Sequence, residues 1–198
     1  MLRALAIAAA MLLPCTALAG AQQYEPMAES VRNALRVAVS HRGVPVLHFS
    51  NADDAHRWSS EMSKRLRRYM PDRRERDRFL KTVHYYAGRA NLDPQLVLGL
   101  IHVESRYKRY AVSSAGAMGY MQVMPFWVKV IGKPGDNLFD MKTNIIYGCA
   151  ILRHYLDIEN GDYFRALGRY NGSLGKAEYP NAVHANWKGR WAYDGATS

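Results

Sequence analysis

Only two cysteines occur in the 198-residue chain, Cys15 and Cys149. If Cys15 belongs to a removed leader, no internal disulfide is possible and cohesion must come from packing. The chain also lacks an apolar run of the ~20 residues needed to cross a bilayer. Convincing strand alternation is missing too, which argues against a sheet protein. Acid is scarce in one telling place: no Asp or Glu lies between Glu104 and Asp136. Carboxylate chemistry in this part of the chain must therefore start from Glu104 alone.

What is present begins with Arg3, an apolar run from Ala4 to Leu13, and the small-residue pattern Ala17-Leu18-Ala19. This is the grammar of a secretory signal peptide over residues 1–19. Leu13-Pro14 before Cys15 does not resemble a lipoprotein cleavage box, so the expected product is an unlipidated periplasmic or secreted protein without a transmembrane anchor. The remaining length suits one domain with a real core. The net charge of +10, from 27 basic and 17 acidic residues, favours an anionic partner. Export demotes nucleic acid and leaves cell-wall polymers and lipid head groups. The run containing Lys64, Arg65, Arg67, Arg68, Arg73, Arg74, Arg76 and Arg78 reads first as a solvated helical face, ahead of a dedicated binding patch.

The apolar periodicity predicts an all-α fold. Helices are expected over Met27 to Ser40, about Asp53 to Tyr69, and about Asp72 to Ala90. Asp93 and Pro94 predict a cap and first turn for a helix running to about Ser105. A short helix is expected from near Met118 to about Val130, and a further one capped by Asp140. Asn160-Gly161-Asp162 separates that helix from the next, which ends near Asn171-Gly172. Cys149 falls on the stripe Ile145, Cys149, Leu152, Leu156 and reads as a small core residue.

Glu104 lies four residues after Leu100 and three after Ile101, so it continues a buried stripe to the helix end. Burial and the negative helix terminus both disfavour its charged form and raise its pKa, as a general acid at neutral pH requires. Arg106 and Lys108 would act the other way if they folded back, and a water-exposed Glu at a fraying end is the bland alternative. Beyond it, Gly116 and Gly119 allow close approach of the backbone to a ligand. Tyr170 and Asn171 offer a hydroxyl and an amide able to orient a carboxyl or hold a sugar. The histidines and cysteine form no metal-ligand spacing, and neither metal nor cofactor is expected.

Glu104-Ser105, then Gly119-Tyr120-Met121-Gln122, then Arg169-Tyr170-Asn171 resemble, in order, three signatures of the family 1 soluble-type (SLT domain) lytic transglycosylases, glycoside hydrolase family 23. The resemblance implies a lysozyme-like helical domain with a glycan-binding groove over residues 75–198; residues 20–74 lie outside it and are expected to form an N-terminal helical extension. It implies cleavage of the β-1,4 bond between N-acetylmuramic acid and N-acetylglucosamine in peptidoglycan strands, leaving 1,6-anhydro ends. By position, Glu104 is the implied catalytic acid and base. Ser105 would position substrate or acid, Gly119, Met121 and Gln122 would line the groove, Tyr170 would hold Glu104, and Asn171 would contact the glycan. The motif usually has Leu where Tyr120 stands, and this ring could add a stacking surface. It often has Ala where Arg169 stands, which could alter the muropeptides accepted. A goose-type lysozyme-like hydrolase and a weakly active binding component of an envelope secretion or conjugation machine are the alternatives. A monomer is expected.

Overall fold

In the structure, a computed structural model describing residues 22–195, the expected leader lies outside the described residues. Eight α-helices follow one another: α1 (Glu29–Ser40), α2 (Ala52–Leu66), α3 (Arg73–Arg89), α4 (Pro94–Ser105), α5 (Phe126–Ile131), α6 (Met141–Ile158), α7 (Tyr163–Asn171) and α8 (Glu178–Ala185), with a π-helical turn at Asn186–Arg190. No strand occurs among the described residues, where only isolated bridges join Met118 to Val112 and to Val123. The helix starts are chemically marked. Asn51, Asp72, Asp93, Asp140 and Asp162 each accept an amide hydrogen of the first turn, satisfying donors that the helix itself leaves unpaired.

One expectation fails at Met118. No helix begins there, because Gly119 and Gln122 take left-handed φ angles of 78° and 48°, which a right-handed helix does not accommodate. Instead Met118 and Val123 exchange backbone hydrogen bonds at 3.0 Å in both directions, and the short α5 starts only at Phe126. Neither α8 nor the π-helical turn was foreseen.

The core lies around α4, whose residues Leu96 to Ile101 are all buried, as its apolar sequence on every side demands. Helices α3 and α8 and the π-helical turn pack on it. Gly99 makes the last contact possible, since a Cβ there would stand 2.9 Å from the Trp187 backbone nitrogen. Trp187 Nε1 then donates to Asp93 Oδ2 at 2.6 Å, fastening the end of the chain to the start of α4. The apolar cluster is continuous from Leu35 to Trp191 and takes in Trp58, Met62 and Leu66 of α2. Part of the basic run is structural: Arg76 is buried and donates to the Met70 and Pro71 carbonyls, holding the α2–α3 turn. Arg73 and Lys64 remain exposed on the surface, as expected for a solvated face.

Candidate active site

Helix α4 delivers Glu104 to its C-terminal edge. It stops one residue later because Arg106 and Tyr107 both take left-handed φ angles, 49° and 65°. The glutamate as a whole is half-buried, yet its Oε2 is almost wholly shielded from solvent and has no hydrogen-bond partner in the protein. Oε1 accepts the Tyr179 hydroxyl of α8 at 2.5 Å. Burial pushes the carboxyl up to about 8, opposed only by the Tyr179 hydrogen bond. Arg106 and Lys108, which could have reversed the shift, are exposed and do not figure in it. The acid is therefore largely protonated at neutral pH.

The loop after α4 is bound to it from several sides. Ser105 Oγ donates to the Tyr120 carbonyl at 2.7 Å. Asn144 of α6, fully buried, accepts from Met121 N–H and donates to the Met118 and Leu138 carbonyls, each at 2.8 Å. Gly119 packs so closely on this amide that a Cβ would stand 2.4 Å from Asn144 Nδ2. Gln122 turns inward and donates to the carbonyls of Gly119 at 2.8 Å and Ala111 at 3.2 Å. Met121 is buried.

Several of the expected roles change here. The Tyr120 ring is 1% exposed and lies 5.1 Å from Phe79, so in this structure it is a core ring rather than a stacking surface. Tyr170 does not hold the Glu104 carboxyl; its buried hydroxyl donates to the Met121 carbonyl at 2.7 Å. Asn171 closes α7 and is also buried. Arg169 is not open to a ligand either, since it pairs with Glu159 and Glu25.

The three motifs nonetheless converge. The end of α4, the loop at 118–124 and the end of α7 are joined by the Ser105–Tyr120 and Tyr170–Met121 hydrogen bonds. Two contributors escaped the sequence. Tyr179 is one of 13 tyrosines in the sequence, and Asn144 carries no motif; only the approach of α8 and α6 gives them meaning. Four carboxylates that follow Glu104 in the chain are occupied: Asp140 and Asp162 cap helices, Asp157 pairs with Arg153, and Asp136 accepts from Tyr147. Cys149 is buried and burial raises its thiol pKa, as a core position requires. His102, the neighbour of the acid, is pushed down to about 4, chiefly by burial. No group of three or more metal-ligating residues occurs among the described residues.

The Transglycosylase SLT domain model matches residues 81–189, more than half of the chain. The chain belongs to this family. A transglycosylase of Enterobacteria phage PRD1 is 38% identical to the SLT chain over 113 residues, covering 54% of this chain and 42% of the phage protein. Membrane-bound lytic murein transglycosylase C of Histophilus somni strain 2336 is 36% identical over 114 residues, covering 50% of this chain and 31% of that protein. The SLT chain thus spans less than half the length of either relative. The X-ray structure of the lytic transglycosylase Slt from Pseudomonas aeruginosa overlaps 62% of this chain and 22% of its own, with a TM-score of 0.46 and 22% identity. Among the described residues of the SLT chain, no helix is long and apolar enough to cross a membrane.

Proposed function

We propose that the protein is an exported lytic transglycosylase that cleaves peptidoglycan between N-acetylmuramic acid and N-acetylglucosamine. The observation that carries this reading is Glu104: one buried, protonated carboxyl, held by a tyrosine, with no second carboxylate among the described residues contributing to its shift. Hydrolytic glycosidases ordinarily place two carboxyls across the scissile bond, one of them handling water or forming a covalent intermediate. A lone acid suits a reaction in which the sugar supplies its own nucleophile.

Glu104 gives its proton to the glycosidic oxygen as the bond to muramic acid C1 breaks, and the N-acetylglucosamine side leaves as an alcohol. The carboxylate then takes the proton from the C6 hydroxyl of the same muramic acid, whose oxygen bonds to C1. The product is a 1,6-anhydro ring; the acid is regenerated and no water is consumed. Tyr179 stabilises the carboxylate between the two steps. Ser105, Gly119, Met121, Gln122, Tyr170 and Asn171 shape and hold the glycan-facing wall, and Tyr120 supports it from behind.

Digestion of purified peptidoglycan followed by mass spectrometry tests the reading. Muropeptides lighter by one water, with anhydro ends, are expected, and Glu104→Gln should abolish their release. Reducing ends would mean a lysozyme-like hydrolase, and binding without release would mean a glycan-binding component.

A further inference from the structure

Residues 22–25 have no regular structure of their own and lie across the backbone that joins the motifs. Gln22 is 4% exposed. Its Nε2 donates to the Gln122 carbonyl at 3.4 Å, and its Oε1 accepts from Met124 N–H at 3.2 Å. Tyr24, half exposed, sets its ring edge-on to Phe126 at 6.0 Å. Glu25 accepts from Arg169 Nη1 at 2.7 Å and 3.0 Å.

The chemistry of Gln22 suggests what it displaces. A primary carboxamide presents a carbonyl acceptor beside N–H donors. The N-acetyl group carried by both sugars of peptidoglycan presents the same pair. The Gln122 carbonyl and Met124 N–H, two residues apart on one loop, pair with either. The contacts holding Gln22 are at the long end of hydrogen-bond distances, and the Glu25–Arg169 pair is partly solvated and correspondingly weak. Meanwhile Oε2 of Glu104 exposes almost no surface, although the proposed reaction needs the carboxyl to meet a glycosidic oxygen.

We propose that residues 22–25 are a displaceable strap over the glycan-facing wall, in which the Gln22 carboxamide occupies the place of a substrate N-acetyl group and Glu25 tethers the strap to Arg169. The strap makes glycan binding competitive with an intramolecular contact. Weakening it raises affinity, because the closed population no longer subtracts from the competent one. This inference rests on the glycan reading of the site.

The test uses the full chain carrying Glu104→Gln, to prevent turnover, alone and combined with Gln22→Ala or with Glu25→Ala. Calorimetric titration with a β-1,4 tetramer of N-acetylglucosamine should show roughly three- to tenfold tighter binding for each strap variant. Hydrogen exchange over residues 22–25 should speed up when the tetramer saturates the chain with an intact strap. Equal or weaker binding by both strap variants, or binding that leaves exchange of the segment unchanged, overturns the strap while leaving the glycan reading intact. No binding by any of the three proteins overturns both.

Discussion

Glu104 carries a thermodynamic signature that is independent of catalysis. Its carboxyl titrates near 4.5 when unfolded and at about 8 when folded. Between those values the folded chain keeps a proton that the unfolded chain has released, so stability falls as pH rises through this window, and the loss is complete above about pH 8. Glu104→Gln removes the group and should flatten the profile. Urea unfolding at pH 5 and pH 9 should show the variant gaining on the parent by on the order of 2–4 kcal/mol at the higher pH. A pH-independent difference would place the carboxyl in water. Tyr179→Phe acts in the opposite sense to ordinary loss of a contact. It removes the one bond that lowers the Glu104 pKa, so the basic limb of the activity profile should move upward while kcat falls roughly tenfold through poorer support of the carboxylate. The position of Glu104 was legible because its helix partners Leu100 and Ile101 are local. Tyr179 was not, because the contact spans 75 residues of chain and only the docking of α8 on α4 creates it.

At the scale of elements, punctuation was legible where it is local and failed where tertiary contacts override it. Asp93-Pro94 marked the start of α4, and Asp140 and Asp162 marked α6 and α7, since a cap bonds to an amide two or three residues away. The residues from Met118 onward read as helix, yet the amides of Met118, Gln122 and Met121 are claimed by the Val123 and Gly119 carbonyls and the Asn144 side chain. Asn144 therefore substitutes for the helix as the organiser of this loop. Asn144→Ala strands the buried Met121 amide and the Leu138 carbonyl, and should destabilise by roughly 2–4 kcal/mol in urea unfolding. Activity should fall further than stability alone explains, because Met121 and Gln122 lose their placement. Gly119→Ala attacks the same contact from the other side, combining a left-handed backbone with a Cβ against Asn144. Because the two changes damage one contact, the double variant should lose less than the two single losses together. Additive losses would mean that the loop is held elsewhere.

For the whole molecule, the apolar periodicity predicts an all-α chain, and the family motifs lie within residues 81–189; neither indicates how the preceding helices attach. Helix α1 packs on α5 and α6, and α2 packs on α3. Trp58 and Met62 of α2 are 1% and 0% exposed within the same apolar cluster as Trp127 and Trp191. Burying a tryptophan is a large contribution that a detachable appendage would not make. Trp58→Ala should therefore lower the stability of the entire chain by roughly 3–5 kcal/mol, although it lies outside the matched residues. Circular dichroism and tryptophan fluorescence should report one shared urea transition, shifted as a unit by the substitution, as expected when all probes sit on one cooperative core. Two separated transitions, with only the first sensitive to Trp58, would make residues 22–70 an independent unit. The N-terminal helices and the strap before them would then be regulatory attachments rather than part of the scaffold that holds Glu104.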